Sequence, residues 1–240
     1  MIFRITALAW FLSSASVAQT SSPVYAVAPN GHGENGDWAF LSRYRHDNAG
    51  LKPDISRVVF LGDSITQAWA QESFIAGNPH YLGRGISGQT ALQMVVRFRA
   101  DVIALKPQLV HIMAGTNDVA GNNGPESDTD IEGAIESMVQ LALANHIKVV
   151  LGSIPPAADF TWHPGLNPAP RIRRLNTWIK SYASRAGVGY VDYWPALANE
   201  SGGVKSNLSM DGVHPNSQGY KAMQTLTEAA IQSALGKPLS

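Results

Sequence analysis

Apolar and polar positions along the chain fall into two alternating patterns. Short, nearly continuous apolar runs occur at RVVFLG (57–62), LVHIMAG (109–115), KVVLGS (148–153) and VGYVDY (188–193), with a weaker, shorter run at HYLGRG (80–85). Runs of this length read as buried strands. Between them lie segments with apolar residues three and four apart. One helix starts at about Thr66. A second covers 90–105, with Leu92, Val95, Val96, Val102 and Ile103 as its apolar set. Others cover 130–146, 171–187 and 216–235. Strands alternating with long helices predict the α/β class, specifically a three-layer α/β/α sandwich around a flavodoxin-like, five-stranded parallel sheet. The 240 residues suffice for one such domain. In sheets of this kind ligands sit outside the carboxyl ends of the strands, so the polar residues just after each strand come first.

Those positions carry GDSIT after the first strand, GRGISG after the second and AGTND after the third, and MDGVHPN precedes the last helix. Ser64 follows a buried strand and opens a helix. It reads either as an ordinary N-cap or as a nucleophile at a helix N-terminus. A serine hydroxyl needs a base, and His214 is the candidate. Asp211, three residues earlier, can accept the other ring N–H and stabilise the imidazolium. The bland reading of that pair is a surface loop. An acyl-transfer intermediate also needs hydrogen-bond donors for its oxyanion. The Ser64 N–H, a glycine N–H from the second-strand loop and the Asn117 amide are candidates, although Gly-Thr-Asn-Asp is also good turn sequence. Asp118 reads as a cap.

The loop Gly83-x-Gly85-x-x-Gly88 has the spacing of a dinucleotide-binding fingerprint. Such a fingerprint belongs after the first strand, with an acidic residue at the end of the next one. Here it follows the second, weakly apolar strand, and the next acidic residue, Asp101, falls inside a helical pattern. Use of Gly88 as an oxyanion donor is the better reading.

Composition narrows the classes. Eighteen basic and eighteen acidic residues balance to a formal charge of zero, which disfavours nucleic acid as a partner. The one basic run, Arg171, Arg173 and Arg174, reads as a solvated helix face. Cysteine is absent, so disulfides, thiolate metal sites and a cysteine nucleophile are excluded. The remaining histidines have no ligand spacing, and His111 lies in a buried strand pattern. No metal and no cofactor is implied. At the N-terminus Arg4, an apolar ITALAWFL and small residues at Ser16 and Ala18 come in the order of an export signal. The domain reading is therefore a signal peptide at 1–18, a loose arm at 19–36 and one domain at 37–240. The mature chain is expected to be periplasmic or secreted, with no membrane span.

The four blocks, in this order, resemble the SGNH (GDSL) hydrolase superfamily, most closely its small platelet-activating-factor-acetylhydrolase-like and carbohydrate-esterase-like branch. GDSIT resembles the first block, GRGISGQT the second, GTND the third and DGVH the fifth. One departure is Gly83, where related sequences often have Asn. The resemblance implies metal-free ester hydrolysis with Ser64 as nucleophile, His214 and Asp211 completing a triad, and Ser64, Gly88 and Asn117 as oxyanion donors. Gly-x-Ser-x-Gly is absent, which argues against an α/β-hydrolase fold.

Substrate contacts are expected from Asp63 and from the long segment 155–174, where Trp162 either stacks on a sugar ring or packs the loop, and His163 faces substrate or solvent. No apolar lid is evident, so short acyl chains, acetyl above all, are favoured, with a carbohydrate ester as substrate. The alternatives are a generic arylesterase, lysophospholipase or thioesterase-type acyl hydrolase, and, in a different class, a non-catalytic carbohydrate-binding protein on the same fold.

Overall fold

A computed structural model describes residues 36–236. The expected signal peptide and all of the expected arm but Gly36 lie outside the described residues. The elements are α1 (Arg45–Ala49), β1 (Val58–Gly62), α2 (Ser64–Trp69), α3 (Ser73–Ala76), β2 (Tyr81–Gly85), α4 (Ala91–Asp101), β3 (Leu109–Met113), α5 (Thr116–Val119), α6 (Asp128–Ala144), β4 (Lys148–Gly152), α7 (Ala169–Ala186), β5 (Gly189–Val191), α8 (Trp194–Leu197) and α9 (Ser217–Leu235).

All five strands are parallel, in the order β2-β1-β3-β4-β5. The winding reverses between β1 and β3, the place where such sheets open a crevice. Side chains alternate between two cores. Val59, Leu61, Val110 and Ile112 pack with α4, α6 and α7. Val58, Phe60, Leu109 and Met113 pack with α2, α3 and α9. Burial on both faces is the reason the strands read as continuous apolar runs.

The glycines of the fingerprint-like loop serve packing. A Cβ on Gly85 would lie 2.1 Å from the backbone nitrogen of Gln67, and one on Gly83 would lie 2.3 Å from Ala70 Cβ. The C-terminal half of α2 and the residues after it therefore rest directly on β2, which only glycine permits.

Four sequence expectations are corrected. The first helix begins at Ser64, not Thr66, because the Asp63 carboxylate caps it. The helix expected over 90–105 ends at Asp101. Val102 breaks it, a 3-10 turn follows at Ile103–Leu105, and Lys106 is left-handed (φ 48°) just before Pro107. Its apolar set is also different. Leu92 and Val96 are exposed (38% and 47%), whereas Met94 and Phe98 are buried beside Gln93, Arg97 and Asp101. Polar residues occupy that inner face because fixed partners satisfy them there. Finally, the irregular segment after β4 is shorter, since α7 starts at Ala169. Its basic residues do more than meet solvent. Arg171 and Arg174 pair with Asp128 at 2.7 and 3.5 Å, and Arg173 lies over the Trp194 ring. Among the described residues, no helix is long and apolar enough to cross a membrane.

Candidate active site

At the end of β1 the chain turns directly into α2. Asp63 Oδ1 accepts the Ile65 N–H at 2.9 Å, so Asp63 is the cap and Ser64 is the first helical residue. A first-turn N–H has no partner inside its helix, which leaves the Ser64 N–H available beside its own hydroxyl.

The Ser64 hydroxyl lies 3.0 Å from His214 Nε2, across 150 residues of chain. His214 Nδ1 lies 2.7 Å from Asp211 Oδ2. The other Asp211 oxygen accepts the His214 and Val213 backbone N–H groups at 2.7 and 3.0 Å, so a tight local turn fixes carboxylate and imidazole together. Burial raises the Asp211 pKa, but the hydrogen bonds and charge of His214 outweigh it and bring it down to about 2. A charged Asp211 holds the proton on Nδ1 and leaves Nε2 as an acceptor for the serine hydroxyl.

The oxyanion candidates flank this line. Gly88 adopts φ +77°, a conformation that favours glycine, and its N–H has no acceptor among the described residues. After β3, Gly115 (φ +124°) turns the chain so that α5 presents Asn117. The Asn117 Nδ2 donates to the Gln89 carbonyl at 3.0 Å, and its Oδ1 accepts from Asn122 Nδ2 at 2.7 Å. Asn122 Oδ1 in turn accepts the Trp162 indole N–H at 3.0 Å. The Trp162 ring is partly buried, 5.1 Å from Phe160 and 5.9 Å from the His214 ring between centroids. His163 is exposed, and its Nδ1 meets the Ala120 carbonyl at 2.6 Å.

Asp63 is corrected. Expected as a substrate contact, it is 1% exposed and accepts from Ile65, so the structure gives it the role of helix cap. Burial pushes its pKa up to about 6, against the lowering influence of the Ile65 N–H, the His214 charge and the Thr116 hydroxyl. Asp118 caps α4, its Oδ1 accepting the Ala91 N–H at 2.8 Å. Burial first, then the neighbouring Glu126, holds its carboxyl well above the usual range. His111 is a core group, with Nε2 2.8 Å from the Tyr193 hydroxyl, and burial lowers its pKa to about 3.

The structure thus brings Ser64, His214 and Asp211 into direct contact, sets Gly88 in the loop after β2 and Asn117 in α5 just after β3, and places Trp162 against His214. Sequence reasoning missed Asn122 and the Gln89 carbonyl. Gly-Asn-Asn-Gly at 121–124 reads as a turn, and no spacing ties it to Trp162.

The model of the GDSL-like lipase/acylhydrolase family matches residues 60–222, from within β1 to the first turns of α9. The chain belongs to the GDSL-like lipase/acylhydrolase family. It is an ester hydrolase. The crystal structure of a GDSL-like lipase from Bacteroides thetaiotaomicron superposes with a TM-score of 0.79 at 42% identity, covering 82% of this chain and 98% of that one. Among curated relatives, the platelet-activating factor acetylhydrolase IB subunit alpha1 of Bos taurus is 26% identical over 196 residues, covering 77% of this chain and 79% of that protein. An acetylxylan esterase of Xylanibacter ruminicola is 26% identical over 217 residues, covering 75% of this chain and 44% of that protein. The GDSL block therefore coincides with the Asp63–Ser64 turn, and the family's match ends just beyond the Asp211–His214 turn.

Proposed function

We propose that this esterase hydrolyses short-chain carboxylic esters, acetyl esters above all, through Ser64, His214 and Asp211. The observation that carries the reading is the unbroken hydrogen-bonded line from the Ser64 hydroxyl through His214 to Asp211. His214 Nε2 takes the hydroxyl proton as Ser64 Oγ bonds to the ester carbonyl carbon. The Ser64 and Gly88 N–H groups and the Asn117 amide stabilise the oxyanion. On collapse the ester C–O bond breaks, and His214 returns the proton to the departing alcohol. Water, deprotonated by the same imidazole, then releases the acid and restores Ser64.

The alcohol is proposed to be a carbohydrate. Two relatives are named for removal of acetyl groups, one from xylan and one from platelet-activating factor, which supports acetyl as the acyl group and leaves the alcohol to be separated by assay. The apolar residues 154–157 and Phe160 are buried, and Asp159, Thr161, His163 and Asn167 are exposed beside the partly exposed Trp162, with Leu166 the one large exposed aliphatic side chain. This largely polar surface supports a sugar over an acyl tail. The export signal at residues 1–18 would place the enzyme where polysaccharide is found.

Two measurements test the proposal. Ser64→Ala should abolish turnover of p-nitrophenyl acetate, by a factor of about 10³ or more, while the melting temperature stays within a few degrees. A folded Ser64→Ala protein with wild-type turnover refutes the mechanism. Acetate release from acetylated xylan, pectin and amino sugars, beside an acetylated phospholipid, separates the alcohols, and preference for the phospholipid refutes the carbohydrate assignment.

A further inference from the structure

We propose that Asn122, held by Trp162, is a positioning residue that fixes which end of the Asn117 amide faces the reaction. The inference rests on the hydrolytic reading above, because it concerns the donor that reading assigns to Asn117.

The two ends of a primary amide are nearly the same size, so shape alone does not distinguish oxygen from nitrogen. For an oxyanion donor the distinction decides everything. An NH₂ end stabilises the developing negative charge and a C=O end repels it. Asn117 is the middle of a four-member relay. It runs from the Trp162 indole N–H to Asn122 Oδ1 (3.0 Å), from Asn122 Nδ2 to Asn117 Oδ1 (2.7 Å), and from Asn117 Nδ2 to the Gln89 carbonyl (3.0 Å).

The two ends of the relay are unambiguous. An indole nitrogen can only donate, and a backbone carbonyl can only accept. Between them both amides have one consistent orientation. Turning Asn117 over would set its oxygen against the Gln89 carbonyl and its NH₂ against the NH₂ of Asn122. Turning Asn122 over would set its NH₂ against the Trp162 N–H. The polarity of the whole line therefore follows from its ends.

Asn117 Nδ2 carries a second N–H, and the first is committed to Gln89. No acceptor for the second exists among the described residues. Its direction follows once the amide is locked to the Gln89 carbonyl, one residue after Gly88. Asn117 is buried, so water does not readily satisfy a flipped amide. Trp162 links this lock to the base. Its N–H anchors Asn122 while its ring lies 5.9 Å from the His214 ring. One side chain from the segment before α7 thus anchors the lock on the donor and lies beside the base.

The test is a kinetic cycle on p-nitrophenyl acetate with Asn122→Asp, Asn117→Ala, the double variant and Trp162→Phe. Aspartate has the shape of asparagine and still accepts the indole N–H, but it offers Asn117 no donor. Asn122→Asp should lower kcat about tenfold or more, with KM changed less than about twofold, because an oxyanion contact acts in the transition state. In the Asn117→Ala background the same change should cost nothing further. Trp162→Phe keeps an aromatic ring at that position and removes the N–H. It should lower kcat several-fold in the native background only.

A wild-type kcat for Asn122→Asp overturns the proposal, and so does an equal fractional loss in both backgrounds. Thermal melts accompany each variant. If Asn122→Asp fails to fold, Trp162→Phe decides by the same criterion, and a wild-type kcat for it then overturns the relay. Failure of the hydrolytic reading looks different, since Ser64→Ala would then keep its turnover whatever the relay variants do.

Discussion

Two carboxylates act on the His214 imidazole, and their surroundings set them apart. Asp211 is brought down to about 2 despite the opposing effect of burial, and Asp63 is pushed up to about 6 by burial. Their contributions to stability run in opposite senses with pH. That of Asp211 is present above its ordinary pKa of 3.8 and is lost as pH falls through about 2. That of Asp63 is present below 3.8 and is lost as pH rises through about 6. Above that, the buried charge costs about 3 kcal/mol, the gap between the two values at 1.36 kcal/mol each. Asp63→Asn keeps an acceptor for the Ile65 N–H and removes the charge. It should raise the melting temperature at pH 7.5 by several degrees and flatten the fall in stability between pH 4 and 6. Melts of both proteins across that window decide the matter, and parallel slopes would contradict the account. The residues of this line, Ser64, Asp211 and His214, were legible in the sequence because each lies in a short polar block, GDSIT at the end of β1 and DGVH just before α9. Asp63 was read as a substrate contact because capping depends on where a helix starts, which spacing leaves uncertain by two residues.

Strands were more legible than helices, for a physical reason. A parallel strand covered on both sides reads as a nearly unbroken apolar run, so Val58–Gly62 and Leu109–Met113, interrupted only by His111, announce themselves. β2 reads weakly because Gly83 and Gly85 stand where α2 and the residues after it cross it. The inner face of α4 was misread because periodicity counts apolar residues, whereas this face buries Gln93, Arg97 and Asp101. The β2 glycines give a prediction at this scale. In Gly85→Ala the new Cβ meets a backbone nitrogen 2.1 Å away, and no rotamer relieves that contact. α2 must lift from the sheet. Overpacking of this kind costs about 1–3 kcal/mol, or roughly 2–12 °C in melting temperature at this size. Because Ser64 opens α2, its alignment with His214 should suffer too, and kcat should fall along with the melting temperature. A variant with the melting temperature of the native protein would show that the sheet tolerates the methyl.

Across the whole molecule, Arg97 ties together segments that the sequence keeps apart. It is fully buried, and its guanidinium donates to the Gly62 carbonyl at the end of β1 (3.0 Å), to Gln89 Oε1 in the loop after Gly88 (2.5 Å) and to Asp101 (3.1 Å). Gln89 passes the connection on to the Ala39 carbonyl at 2.9 Å, and Asp101 accepts from Asn48 at 2.7 Å. The strand that delivers the nucleophile, the oxyanion loop and residues 39–48 thus share one cation. Nothing in a hydropathy pattern marks such a residue, since its partners are carbonyls and amides set by the fold. Removing one member of a buried pair strands the other charge, at about 3–5 kcal/mol, whereas removing both is far milder. Arg97→Met should therefore lower the urea midpoint sharply. Arg97→Met with Asp101→Asn should recover much of the loss, because the remaining amide still accepts from Asn48 and carries no charge. If the single and double variants unfold at the same midpoint, the stranded carboxylate is not the source of the cost, and the carbonyl and amide of Gly62 and Gln89, left without their donor, must account for it instead.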